Sequence, residues 1–148
     1  MATDIKAKTF VPQSASTTAI AAAQTLSGAG NMNLTGSSVN DGSNMATTVT
    51  FTSTGNISGV TFTVTGTDAS GESATEDITG PNNNTVTGST AFLTVTQIAA
   101  DGAVSTNTSA GFTATTTGQG IVFAGRTRIR GIQAFSDNTA GNVNFKDG

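Results

Sequence analysis

The side chains able to do chemistry in this 148-residue chain concentrate in two stretches. The first is DASGE, which places Asp68, Ser70 and Glu72 at every second position, with Glu76 and Asp77 just beyond. Hard cations such as calcium take several carboxylate, carbonyl and hydroxyl oxygens, so an oxygen-rich cation site is one reading. The other is a solvated hairpin turn whose acids block pairing between sheet edges. The ligand series is shorter than a calcium loop needs, which favours the turn. The second stretch is RTRIR, with Arg126, Arg128 and Arg130. In a strand these three project from one face. Guanidinium groups fork phosphates and carboxylates, so the strip suits a phosphate or a carboxylate-rich partner surface. A charged solvent face protecting an edge is the plainer alternative.

Composition removes most other chemistry. Histidine, cysteine, tryptophan and tyrosine are all absent. That excludes disulfides, thiolate nucleophiles, histidine-based triads and zinc sites built on cysteine or histidine. GAG at residues 28–30 and GQG at residues 118–120 superficially resemble phosphate loops, but neither is followed by the lysine that such loops use. Carboxylates alone can hydrolyse glycosides, yet the acids here sit in polar, turn-like contexts. The expectation is therefore a protein that is not an enzyme and needs no cofactor. The formal net charge of −3 and the lack of an aromatic platform beside the arginines argue against nucleic acid. The start MATDIKAKTF lacks the apolar centre of a signal peptide, and the run AIAAA is far too short to span a bilayer. No membrane partner is expected.

Only 10% of the residues are charged, and threonine is the commonest residue. Threonine suits strands, because its branched Cβ fits a pleated sheet and loses little there. MATTVTFTS alternates Thr47, Val49 and Phe51 against Thr48, Thr50 and Thr52; GVTFTVTGTD alternates Val60, Phe62 and Val64 against Thr61, Thr63 and Thr65. Period-two patterns of this kind predict half-buried antiparallel strands. DASG forms a hairpin turn in which Gly71 takes positive φ, and ESATEDITG returns from it. PNNN turns again. TAFLTVTQIAA reads as one strand, DGAVS as a turn into another short one, and AGFTATTTG and GIVFAG as two more. RTRIRGIQAFS and GNVNFKD close the chain. AIAAAQTL is too short and too poor in charge pairs for a stable helix, so a strand or irregular structure is expected there. The residues that follow, rich in Gly, Ser and Asn, read as a loop.

These elements predict an all-β fold, an antiparallel β-sandwich of Greek-key or jelly-roll winding. An extended N-terminal arm, residues 1–18, precedes a sandwich domain at 19–148, in which 119–148 forms a C-terminal subregion. The arm holds Lys6, Lys8, Phe10 and Val11, with Pro12 pushing its predecessor into extended geometry. Seven of the eight phenylalanines fall in predicted strands and are expected in the core. Phe10 is the exception. It and Val11, with Lys6 and Lys8, are candidates for anchoring the arm on a neighbour, beside the candidate strip Arg126, Arg128 and Arg130.

The stretch FTVTGTDASGESATEDITGPNNNTVTGSTAFLTVTQIAADGAVS resembles a module of tailed-bacteriophage virion proteins. Its marks are a TVTGTDxxG hairpin, an ExIxGPN return and an FxTVxxI strand. RIRGIQAFSDNTAGNVNFKDG resembles a second segment, from structural proteins of cyanophages and related marine phages. In those proteins FKDG leads into another strand, whereas Gly148 follows here, so the expectation is either a sheet completed by a neighbouring subunit or a shortened form of the chain. The resemblance implies a virion structural protein, foremost a capsid decoration (cement) protein on the outer capsid surface. Its partner would be the major capsid protein or another virion protein, and it would be a homo-oligomer, with a trimer favoured. A tail, collar or fibre-base component and a carbohydrate-binding adhesin module are the alternatives.

Overall fold

A computed structural model describes residues 9–35 and 44–114. Eight strands form within them: β1 (Ser16–Leu26), β2 (Gly30–Asn31), β3 (Thr47–Ser53), β4 (Thr61–Thr67), β5 (Ser73–Thr79), β6 (Thr85–Phe92), β7 (Thr94–Ala100) and β8 (Val104–Phe112). No helix occurs among the described residues. All pairings are antiparallel, and the strands make two four-stranded sheets, ordered β1-β8-β3-β6 and β2-β7-β4-β5. The pairs 1–8, 2–7, 3–6 and 4–5 are nested. Such nesting arises when one long antiparallel ribbon is rolled up on itself, which is the jelly-roll winding.

The two sheets pack through their inward faces. Along β4 the alternation is strict: Phe62 and Val64 are fully buried, and Val60 just before the strand is nearly so. Thr61, Thr63, Thr65 and Thr67 lie on the other face, half-exposed. Phe51 of β3 and Phe62 of β4 stack across the sheet interface with ring centroids 4.4 Å apart and planes at 16°. Ile20, Val49, Phe92, Val95, Ile98, Val104 and Phe112 complete the same core. Burial of this apolar surface is the main favourable term, at about 25 cal/mol per Å².

Several expected boundaries shift. Ser16 to Thr18, read as arm, already belong to β1, and AIAAAQTL continues that strand. The loop after it contains β2. TAFLTVTQIAA is two strands in different sheets: β6 ends at Phe92, the chain turns at Leu93, and β7 begins at Thr94. The Leu93 amide donates to the Thr67 carbonyl at 2.7 Å, which stitches this corner to the end of β4. The short strand expected after DGAVS and the start of AGFTATTTG, as far as Phe112, are one nine-residue strand, β8. Thr50, assigned to the solvent face, is buried, because β3 is an inner strand covered by β6 and β8 on either side. The expected strands beyond residue 114 lie outside the described residues.

Since every pairing is antiparallel, the ends of the strands sort into two ends of the sandwich. One end carries the connections at 27–29, 54–60, 80–84 and 101–103. The other gathers Ser16, Thr47, Thr67, Phe92 and Phe112, as the pairs Ser16↔Phe112 and Thr47↔Phe92 require.

Candidate functional site

The second end is where the chain outside the sandwich joins it. Residues 9–15 lead into β1 there, residues 44–46 lead into β3, and β8 leaves through Thr113 and Ala114. Hydroxyls and amides knit these strands together. The Thr113 hydroxyl lies 2.7 Å from that of Thr47 and 2.9 Å from that of Thr48. The Thr113 amide donates to the Thr48 carbonyl at 3.1 Å. Asn44, in the left-handed region at φ 56°, donates its side-chain amide to the Thr9 carbonyl at 2.8 Å, tying the incoming arm to the segment before β3. Asparagine tolerates that conformation better than most residues, because its short polar side chain bonds locally. Beside this end sits the Thr67–Thr94 hydroxyl pair at 2.6 Å.

Of the seven candidate interaction residues, Phe10 and Val11 lie within the described chain. Phe10 is half-buried, and Val11 is 47% exposed, the one large hydrophobic residue that exposed among the described residues. Lys6, Lys8, Arg126, Arg128 and Arg130 fall outside the described residues. So do Phe123, Phe135 and Phe145, while Phe51, Phe62, Phe92 and Phe112 are all in the core.

The acidic stretch comes apart into separate structural roles. Asp68 caps the β4–β5 turn: its Oδ1 accepts from the amides of Ser70 at 2.8 Å and Glu72 at 3.0 Å. Gly71 takes φ +87° as the turn requires. Hydrogen bonding from the Ser70 side chain, and then from the Ser70, Glu72 and Gly71 amides, outweighs desolvation and holds the Asp68 carboxyl below its ordinary value of 3.8. Because the folded value is the lower one, the cap contributes fully above the unfolded value and is lost as pH falls through the folded one. The Ser70 and Glu72 amide resonances should therefore move together on acidification below pH 3.8, and Asp68→Asn should remove that step. Amide shifts that stay flat through the acid range would show that the cap is not formed.

Asp77 and Glu76, adjacent in β5, point to opposite faces. Asp77 accepts from the Thr63 hydroxyl at 2.6 Å on the outer face. Glu76 reaches across to the edge of the other sheet. Its Oε1 accepts from the Ser89 amide at 2.6 Å and the Ser89 hydroxyl at 2.7 Å, and its Oε2 from the Thr90 amide at 3.1 Å. The β3–β6 register shifts here, with residues 88–90 standing opposite Val49 alone, and this bulge on an edge strand turns both adjacent amides away from β3. Gly88 makes the approach feasible, since a Cβ there would meet the Glu76 carboxylate and the Ile78 side chain. On the opposite flank Gln24 does a similar service: its side-chain carbonyl accepts from the Asn33 amide at 2.9 Å, and its NH₂ donates to the Asn33 carbonyl at 3.0 Å. On each flank one side chain thus bridges the edge of one sheet to the other: Gln24 imitates a backbone pair, and Glu76 supplies acceptors alone. Spacing alone does not reveal either clasp. Glu76 stands in the pattern as one more acid of a solvent face, and Gly88, at the head of a run of small residues, is the one hint.

No group of three or more His, Cys, Asp or Glu side chains that could hold a metal ion occurs among the described residues. Four of the five described carboxylates, those of Asp68, Glu76, Asp77 and Asp101, accept hydrogen bonds that hold turns or strands in place. No protein-family model, curated protein or solved structure matches the chain. What the geometry offers is a two-sheet body bridged once along each flank, with the N-terminal arm and the chain after β8 joining it at one end.

Proposed function

We propose that this chain is a structural protein of a tailed-phage virion, and within that class a decoration (cement) protein on the outer surface of the capsid. Its partner is the major capsid protein or another virion protein, and it acts as a homo-oligomer, with a trimer favoured. The observation that carries the reading is the jelly-roll body with both terminal segments leaving from one end. Jelly rolls recur in viral capsid and lectin domains. The fold alone is an analogy and hosts other functions. The resemblance of residues 62–105 and 128–148 to phage virion segments supports the same choice.

The role is mechanical. A protein that binds only the assembled shell stabilises it by RT ln(1 + [L]/Kd), about 2.7 kcal/mol per site when the ligand is at a hundred times Kd. The flank clasps leave the edges of β1 and β6 poorly suited to adding a strand from a neighbour. β5, the outer strand of the second sheet, is a further edge, and we assign attachment to the arm and to the chain beyond Ala114. Ordering an extended segment costs roughly 1–2 kcal/mol per backbone residue, so the arm needs apolar contacts, and exposed Val11 is placed to supply one.

The test is to delete residues 2–12 and measure binding to undecorated capsids. The truncated protein should keep its β-sheet circular dichroism and bind at least tenfold more weakly. Binding as tight as that of the intact chain removes the arm as anchor and leaves the RTRIR strip as the contact. Copy number per virion by mass spectrometry separates shell from tail: on the order of hundreds of copies indicates the shell, and about a dozen the tail. A lectin-type role has less in its favour, because sugar sites stack on exposed aromatic rings and the body's four described phenylalanines are buried.

A further inference from the structure

The cations are sorted by place, while four of the nine carboxylates, Asp4, Asp41, Asp137 and Asp147, lie outside the body. Residues 9–35 and 44–114 hold five carboxylates, Asp68, Glu72, Glu76, Asp77 and Asp101, and not one Lys or Arg. The body therefore carries a formal −5 within a chain of net −3. All six cations lie in residues 1–8 and 115–148. Both segments join the body at the same end, through Thr9 and Ala114, as Ser16↔Phe112 and the Thr113 contacts place them.

Bodies of one sign repel when packed side by side, unless something of the other sign lies between them. We infer that residues 115–148 of one copy, through Arg126, Arg128 and Arg130, dock on the carboxylate-bearing surface of a second copy, at the β4–β5 hairpin tip and the exposed face of β5 that carry Glu72 and Asp77. The reach is sufficient. Arg126 lies twelve positions beyond Ala114, and an extended chain of that length spans up to about 40 Å, more than the length of a nine-residue strand. The docking surface is open, since Glu72 and Asp77 are exposed and the Asp77 bond to Thr63 engages one of its two oxygens. Arginine is suited to this, because its planar fork engages a carboxylate with two parallel bonds. Single exposed pairs are weak, but an array repeats them at each neighbour. The inference rests on the proposal that many copies assemble, and it names the surfaces through which they do so.

The experiment uses the full chain in sedimentation velocity, first at about 50 mM and then at about 500 mM NaCl, since the Debye length shrinks several-fold over that range. The expected result is association into multiples of 14.6 kDa at low salt and dissociation toward the monomer at high salt. The triple variant R126E/R128E/R130E should weaken association at least tenfold, and adding Glu72→Lys with Asp77→Lys to it should restore association. The salt series on the unaltered chain stands even if a variant fails to fold. A mass indifferent to salt overturns the inference, as does a strict monomer at low salt. A monomer whose thermal stability falls in the triple variant overturns it in favour of docking on its own body. Capsid binding, measured separately, distinguishes the two readings: loss of capsid binding in the triple variant with unchanged self-association overturns this inference and leaves the shell reading in place. Salt-dependent self-association with no capsid binding does the reverse.

Discussion

Phe62→Ala is expected to destabilise the protein by about 3–5 kcal/mol, enough to lower the melting temperature by roughly 10–20 °C. The ring is fully buried and stacks on Phe51 of the opposite sheet, so its loss opens a cavity between the two sheets rather than at a margin. The other core side chains Val49, Val64, Val95 and Ile98 are β-branched and have few rotamers with which to collapse into the space. Denaturant unfolding should show a lower midpoint with an unchanged slope. Pairing this change with Phe51→Ala in a double-mutant cycle should return a coupling of about 0.5–1.5 kcal/mol from the stacked rings. A near-neutral Phe62→Ala would mean that β4 is in the opposite register, with its threonines inward.

Glu76→Ala should cost about 2 kcal/mol, discounted for partial exposure from what three bonds to a charged acceptor would otherwise bring. The carboxylate is the partner of the Ser89 and Thr90 amides on an edge strand, and alanine leaves both facing outward. Their hydrogen exchange should accelerate more than that of the neighbouring Thr87 and Ala91, which share β6 and pair with β3 on its other side. Glu76→Gln retains an acceptor but places an NH₂ against one of the donors, and should fall between. An edge freed in this way is also a template for strand addition, so the alanine variant should aggregate sooner on heating. Equal exchange rates at all these amides in the variant would show that water replaces the clasp without penalty.

The strands themselves can be read from the residues, because their signal is local. Val60, Phe62 and Val64 alternate with threonines, and a pleated strand with one face against a core is the simplest way to bury the three and leave the threonines outward. The same logic locates Gly71 in its turn. The expectations fail where the buried side lacks large apolar residues or the alternation changes phase. In β8 the inward positions run Val104, Thr106, Thr108, Ala110 and Phe112, a clean period of two hidden by two threonines. Thr108 is nevertheless fully buried, its hydroxyl bonded to the Thr106 carbonyl at 3.0 Å, while the Thr106 hydroxyl meets that of Ser53 at 2.7 Å. A threonine so satisfied sits in a core at little cost. Between β6 and β7 the inward residues Phe92 and Val95 are three apart, a break in period that marks the passage from one sheet to the other.

Composition by itself also determines the chemistry-poor character of the chain and sets its cations near the two termini, since both follow from counting. The nested pairing is beyond reach of such arguments. β1 lies beside β8 although Ser16 and Phe112 are ninety-six positions apart, and nothing in either segment singles out the other. That choice belongs to the rolled-up ribbon as a whole, in which each strand finds its neighbour only once the two sheets share a core. The role of Glu76 is decided at the same level. A carboxylate in a strand points to one face by its position, but whether water or the amides of another edge receive it depends on which edge the packing of the sheets brings alongside.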